Sequence, residues 1–169
     1  MKRFLMSLAV CTCFLALSHD AGAVTQSVTA NIAFDNAITL TKNSDINFGI
    51  VRAATADTYT ITTAGVVTAG GGATNLLGGT LAAGNITIAG SSTQTVAISA
   101  GSYVANNGVT PSAATCAYNG GAAAACSLTA QAAPAAGKTL LVGVQVSASG
   151  AQAAGTSAAP TFVITVIYG

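Results

Sequence analysis

The fold of this chain is decided by its last residues, Phe162-Val163-Ile164-Thr165-Val166-Ile167-Tyr168-Gly169. They are apolar and mostly β-branched or aromatic, which favours an extended strand. Because side chains alternate along a strand, one face carries Phe162, Ile164, Val166 and Tyr168, and the other carries Val163, Thr165 and Ile167. Both faces are largely apolar, so we expect both to be buried. An unpaired strand of this kind would aggregate, so we expect it to complete a sandwich or to join subunits.

Similar short alternating runs recur along the chain. They cover residues 24–34, 37–42, 46–51, 58–67, 85–89, 95–99, 102–105, 114–118, 127–131, 140–148 and 161–168. The clearest run places Leu140, Val142, Val144 and Val146 on one face. Glycine-rich turn signals separate the runs, among them Gly78-Gly79 and Asn107-Gly108. The pattern predicts an all-β fold, an antiparallel β-sandwich, as a single domain over residues 24–169.

The first residues have the pattern of a secretory signal peptide. Lys2 and Arg3 precede an apolar stretch from Phe4 to Leu17, and Ala21-Gly22-Ala23 provides small residues for cleavage. We predict a signal peptide over residues 1–23 and export through the periplasm to the cell surface or the extracellular space. After processing, no membrane span is expected.

The composition of residues 24–169 argues against catalysis. This part of the chain has no His, Glu, Met or Trp. Its charged side chains are balanced in sign: Asp35, Asp45, Asp57, Lys42, Arg52 and Lys138. The usual general acids, general bases and metal ligands are therefore scarce, and we predict no enzyme activity, no cofactor and no metal site. A neutral balance also predicts no nucleic-acid partner.

Two cysteines remain after the predicted cleavage, Cys116 and Cys126. They flank Asn119-Gly120, which is typical of a hairpin or tight loop. Because an exported protein usually pairs its cysteines, we predict a disulfide between them.

Three segments resemble one known family in their order and spacing: Ile38 to Gly49, Asn85 to Ile88, and Leu141 to Tyr168. The chain resembles the bacterial exported domain of unknown function family 4402, which is similar to archaic chaperone-usher pilins and spore-coat-U-like proteins. Chaperone-usher pilins carry a penultimate tyrosine and an upstream glycine, which match Tyr168 and Gly155. Two features depart from the pilin pattern, the Cys116 to Cys126 loop and Pro160 just before the last strand.

The resemblance implies an immunoglobulin-like, pilin-like sandwich that lacks one strand. In such pilins the N-terminal extension of the next subunit fills the groove. The chain would then be a non-enzymatic structural subunit of a bacterial surface fibre or coat, with a periplasmic chaperone and an usher as partners. The predicted donor anchors are Val24, Val28, Ile32 and Phe34, and the predicted groove residues are Phe162, Ile164, Val166 and Tyr168. Gln26 would share the apolar face of the donor strand.

Two alternatives stay open at this point. Residues 24–34 can form a first strand in cis, with Asp35-Asn36 as a two-residue turn into 37–42, or they can be a frayed tail. The alternative function is a secreted monomeric β-sandwich that acts as a binding or matrix module. A glycan-binding module would normally show a cluster of exposed aromatic side chains, and most aromatics here fall inside predicted strands.

Overall fold

The computed structural model describes residues 25–169. The predicted signal peptide over 1–23 and the predicted donor residue Val24 lie outside the described residues. The chain divides into two units, Met1–Ala33 and Phe34–Gly169. In the first unit, the described residues 25–33 contain no strand and are exposed.

All strands of the described chain lie in the second unit. They are β1 (Thr39–Ser44), β2 (Asn47–Val51), β3 (Ala56–Ile61), β4 (Val67–Ala69), β5 (Leu76–Ala82), β6 (Gly84–Ala89), β7 (Val96–Val104), β8 (Val109–Tyr118), β9 (Ala124–Ala125), β10 (Ser127–Gln131), β11 (Lys138–Ser149) and β12 (Thr161–Tyr168). A short 3-10 helix covers Ala73–Asn75. Among residues 25–169 there is no helix with the length and apolar character needed to cross a bilayer.

The strands form three antiparallel sheets. The largest has seven strands, in the order β1-β6-β11-β3-β4 with β8 beside β11 and β9 beside β8. A three-stranded sheet has the order β10-β7-β12, and β2 pairs with β5. The first half of β11 pairs with β6 and the second half with β3, while β8 follows both halves. The predicted all-β, antiparallel fold is confirmed.

The core lies where these sheets face one another. Leu140, Val142, Val144 and Val146 of β11 are all buried, as their alternation predicts. They share one cluster with Ile98 of β7, and the inward face of β12 packs against it. Apolar side chains from the seven-stranded and the three-stranded sheet thus meet in a single sandwich-like core.

The outer face of β12 corrects one expectation. Val163 and Ile167 are 51% and 59% exposed, whereas Phe162, Ile164, Val166 and Tyr168 are partly buried. Only one face of the three-stranded sheet packs on the core, so β12 is buried on one side. The prediction that both of its faces are buried was wrong, because apolar composition alone does not reveal whether a sheet is covered on one face or two.

Two local predictions also differ from the structure. The cis hairpin through Asp35-Asn36 is not formed, because residues 25–38 contain no strand and β1 begins at Thr39. The sequence pattern predicts a turn at Gly78-Gly79 and no strand there, whereas the structure has β5. Both glycines instead lie inside β5 with φ of 97° and 92°, at a point where the register with β2 shifts. A bulge of this kind favours glycine because, as in many turns, its backbone needs a positive φ, which residues with a Cβ adopt only at a steric cost.

Candidate functional site

A groove of about 1150 Å³ opens beside the first half of β12. Its lining includes the buried Val142, Val144 and Val146 of β11, which are part of the core. Phe162 and Ile164 of β12 line it as well, as does the whole of β2. The groove therefore extends to the outer side of the core, whose three valines are at most 5% exposed, and its lining is mainly apolar.

Two strands that line the groove have a backbone edge without a partner. In the part of the chain that the structure describes, β12 pairs only with β7 and β2 pairs only with β5. Each strand therefore carries main-chain N–H and C=O groups on its other edge that no described strand bonds. Such an edge is a template for the addition of a further strand.

Charged side chains line the groove on the side of β1 and β2. Lys42 donates to Asp45 at 2.7 Å, and both side chains are mostly exposed, so the pair contributes little to stability. Arg52 follows β2 and also lines the groove. Within residues 25–169, no three His, Cys, Asp or Glu side chains come together as a metal site would require. The groove presents backbone edges and apolar surface, which suit a peptide strand better than a small charged molecule.

Tyr59 of β3 is a buried polar residue in the lining of the groove. It is 2% exposed, and its hydroxyl has no hydrogen-bond partner among the described residues. Burial raises the pKa of this hydroxyl, and the negative charge of Asp57 adds to the effect. The hydroxyl stays neutral at physiological pH, and a buried hydroxyl that no described residue bonds is unfavourable for stability.

The other end of β12 holds the residues at which the N-terminal segment, residues 24–34, joins the domain. We call Asp35 and Asn36 the root of this segment. The hydroxyl of Tyr168 donates to the backbone carbonyl of Asn36 and accepts from the backbone N–H of Ser91 at 2.7 Å. Tyr168 thus ties the root to the end of β12 and to the loop between β6 and β7.

The carboxylate of Asp35 forms the second tie of the root. It accepts hydrogen bonds from the hydroxyl of Ser91 and from the amide of Gln94 at 3.1 Å. These bonds, led by that of Ser91 and joined by the backbone N–H of Asn36, lower the pKa of Asp35. The Ser91 side chain is fully buried and also accepts from the backbone N–H groups of Thr93 and Gln94. The root is therefore held by a hydrogen-bonded cluster with a buried centre.

The predicted donor residues are exposed in the structure. Val28, Ile32 and Phe34 are 91%, 77% and 87% exposed, and none of them belongs to a strand. Large apolar side chains this exposed are unusual as a group, since they place apolar surface in water. Their alternate spacing in sequence remains the pattern of a strand with one apolar face.

The predicted residues of the terminal strand divide into two sets. Phe162 and Ile164 line the groove. Val166 and Tyr168 lie further along β12, outside the groove among the described residues, and pack against the core. Gly155 lies in the loop before β12, with φ of 79°, and also lines the groove. The first half of the predicted groove strand thus lines the groove, whereas Tyr168 has a different set of contacts, and the acceptor role of these residues stays a prediction.

The predicted disulfide is confirmed. Cys116 and Cys126 are bonded, with their Cα atoms 4.8 Å apart. Cys116 lies in β8 of the seven-stranded sheet, and Cys126 immediately precedes β10 of the three-stranded sheet. The bond closes the corner at which the chain passes from one sheet to the other.

Ser91 is the residue of this site that the sequence did not reveal. It follows Gly90 in a polar loop, and Ser-x-Thr loops of this kind are common surface turns. Its partners Asp35 and Tyr168 lie 56 and 77 positions away. A burial signal could not have found it, because serine is usually exposed.

A family model described as Domain of unknown function (DUF4402) matches residues 38–168. No curated protein and no solved structure matches the chain. The matched residues run from the residue before β1 to the end of β12 and include the lining of the groove and the disulfide. Because the match covers well over half of its length, the chain belongs to the DUF4402 family.

Proposed function

We propose that this protein is a non-enzymatic structural subunit of a bacterial surface fibre or coat, and that its copies associate by strand complementation. The N-terminal segment of one copy enters the groove of the next and pairs with the unpaired edge of β12. The observation that carries the proposal is the unpaired edge of β12, a strand whose Phe162 and Ile164 line a groove of about 1150 Å³ together with valines of the apolar core.

The chemistry of the N-terminal segment fits the groove. The segment has no charged residue, and one of its faces carries Val28, Ala30, Ile32 and Phe34. That face would lie against the apolar lining, while the main chain would bond the edges of β12 and β2. Gln26 is the polar exception on this face, and it would lie at the mouth of the groove.

The length of the segment also fits. At about 3.3 Å per residue, residues 24–34 extend over roughly 36 Å, and the eight residues of β12 extend over roughly 26 Å. One segment therefore suffices to pair along the full length of β12. Main-chain hydrogen bonds are needed in addition to side-chain burial, since ordering an extended segment costs about 1 to 2 kcal/mol per residue.

The remaining parts of the proposal concern the complete sandwich and its location. The domain would be an immunoglobulin-like, pilin-like sandwich that lacks one strand and gains it from a neighbour. Cleavage after Ala23 would release the N-terminal segment, and the disulfide is consistent with an oxidising compartment such as the periplasm. A periplasmic chaperone would cover the groove before assembly, and an usher would organise export.

The proposal is tested by matched substitutions in the N-terminal segment of the full chain. Ile32→Asp places a charge on the apolar face, and Asn31→Asp places the same charge on the opposite face one residue away. Burying an unpaired carboxylate in an apolar groove costs several kcal/mol. We expect the wild type and Asn31→Asp to form multimers that persist in detergent and dissociate on heating, and Ile32→Asp to remain monomeric in light scattering.

A mixing experiment identifies the groove as the acceptor. A copy with Ile32→Asp can accept a segment but cannot donate one, so it ends a growing chain. Increasing fractions of Ile32→Asp copies should shorten wild-type multimers in proportion. The proposal fails if the wild type is a monomer at every concentration, a result that favours the secreted monomeric module. It also fails if Ile32→Asp and Asn31→Asp behave alike.

A further inference from the structure

The contacts of Tyr168 separate it from the groove and connect it to the root. Its ring packs against the core, while its hydroxyl bonds the carbonyl of Asn36 and the N–H of Ser91. The hydroxyl therefore acts as both donor and acceptor between two segments that are far apart in sequence.

The surroundings of this hydroxyl are tightly packed. A Cβ placed on Gly90 would lie 2.5 Å from the Tyr168 oxygen and 3.4 Å from Pro134 and from the backbone of Ile38. The first distance is shorter than real Cβ contacts, so alanine at position 90 would displace the hydroxyl. The backbone of Gly90 is also bonded, since its N–H donates to the carbonyl of Ala135 at 2.9 Å. Any side chain at position 90 would therefore disturb the bonds of the Tyr168 hydroxyl.

Among the described residues, the long-range hydrogen bonding of the chain begins at this cluster. Asp35 and Asn36 are bonded to Ser91, Gln94 and Tyr168, whereas Phe34 is 87% exposed and no strand covers residues 25–34. Two firmly bonded residues therefore begin the domain immediately after an unpaired stretch. Under the proposed function that stretch is the part that enters a neighbour, so the root sets where and in which direction it starts.

We infer that Tyr168 is a positioning residue. Within β12, it connects the place where a neighbour's segment binds with the root of the copy's own segment. Through its unpaired edge, β12 receives the segment of one neighbour, and through Tyr168 it holds the root of its own segment. When a fibre is pulled, the force on the segment of one copy then passes to its root, from the root through Tyr168 to β12 of the same copy, and from β12 to the segment of the neighbour that is bound there. The partner is a second copy of this chain, and the inference rests on the proposed function.

The test compares two tyrosine hydroxyls in adjacent strands. Tyr168→Phe removes the bonds to the root, and the matched control Tyr103→Phe removes a hydroxyl of β7 that accepts from the backbone N–H of Ala114 at 3.1 Å. Asp35→Ala is a second variant, since Asp35 is exposed and its loss leaves the core intact. All three variants are made in the full chain and assembled as the wild type is.

Two readouts separate positioning from stability. In Tyr168→Phe the Ser91 amide should exchange its hydrogen roughly threefold to tenfold faster, since one hydrogen bond is lost. The amount of multimer should equal that of the wild type, while the persistence length of the fibres in electron micrographs should at least halve. Asp35→Ala should change the persistence length in the same direction, and Tyr103→Phe should leave it unchanged.

The outcomes distinguish this inference from the proposed function. Absence of multimers in the wild type overturns both. Wild-type multimers with equally straight Tyr168→Phe and Asp35→Ala fibres overturn the positioning role alone and leave strand complementation standing. If Tyr168→Phe does not fold, Asp35→Ala alone decides, and fibres as straight as the wild type overturn the inference.

Discussion

Reducing the Cys116–Cys126 disulfide should destabilise the domain by an amount that follows from the loop it closes. The two cysteines are 10 positions apart. Closing a loop of this length removes about 9 cal/mol/K of entropy from the unfolded chain, or about 2.7 kcal/mol at 25 °C. With a urea m-value of about 2 kcal/mol/M, the midpoint of unfolding should fall by roughly 1.4 M on reduction.

The measurement is urea unfolding of the oxidised protein and of the same protein in reductant, followed by far-UV circular dichroism. Reduction keeps both sulfur atoms in place, so it isolates the effect of the bond. The variant with Cys116→Ala and Cys126→Ala should be less stable again by about 1 kcal/mol for each buried sulfur atom removed, since both residues are buried. Adding reductant to this variant controls for effects of the reagent.

The loop-closure reasoning is refuted if the oxidised and reduced proteins unfold at the same urea concentration. A shift of 4 M or more would also contradict it, because the bond would then hold the corner between the two sheets by native-state contacts rather than by restricting the unfolded chain. The disulfide lies where the chain passes from β9 to β10. If the bond acts through native-state contacts, reduction should speed amide hydrogen exchange in β10.

Three further predictions concern the core and the pH dependence. Tyr59→Phe should raise the free energy of unfolding by up to about 1 kcal/mol in urea titrations, because it removes a buried hydroxyl without a partner. Gly143→Ala should lower the thermal midpoint, since its Cβ would lie in contact with the backbone of β3, whereas Gly101→Ala meets nothing within 4 Å and should be neutral. Hydrogen bonds, first that of Asn75, lower the pKa of Asp57 from its ordinary value of 3.8. The ionised carboxylate therefore stabilises the fold fully above pH 3.8, and this stabilisation is lost as the pH falls through the lowered pKa. In Asp57→Asn, the free energy of unfolding should depend less steeply on pH in this acid range.

The strands best predicted from the sequence are those in which pairing with neighbouring strands leaves the alternation of inward and outward side chains regular. The alternation from Leu140 to Val146 appears unchanged in β11, because this strand is central and bonded along both edges. The predicted runs 95–99 and 102–105 fall in one strand, β7, which continues through Ser102 at φ 51°. The gap between the two predicted runs corresponds to a bulge in β7, where its register with β12 shifts. A bulge depends on the pairing with the neighbouring strand and so is not visible in the local sequence.

The candidate site could be predicted only in part, since its walls come from segments that are distant in sequence. Phe162 and Ile164 were found because they alternate within one strand. The groove also needs Phe48 of β2 and Val144 of β11, and no local pattern indicates that these strands meet. Likewise, the local sequence predicts Asp35 as a turn residue, although its carboxylate accepts a hydrogen bond from a serine 56 positions away.

The edges of the sheets differ in how they are protected against strand addition. Natural edge strands carry charge, are very short, or contain bulges. The strand β1 carries Lys42, β4 and β9 have only three and two residues, and β10 pairs through an irregular register with Ala130 at φ 51°. The eight residues of β12 contain no charge and no proline, and its single register shift lies at its first residues.

The strand with this unprotected edge, β12, also lines the groove through Phe162 and Ile164. A strand that merely adds to this edge gains main-chain hydrogen bonds, but only a strand with one apolar face also fills the space above Val142, Val144 and Val146. Under the proposed function, the groove would therefore select a strand with one apolar face, whereas the edge alone would accept any extended chain. Under the proposed function, the arrangement that would make an isolated domain prone to aggregation would instead direct association toward the N-terminal segment, whose Val28, Ile32 and Phe34 are exposed to water.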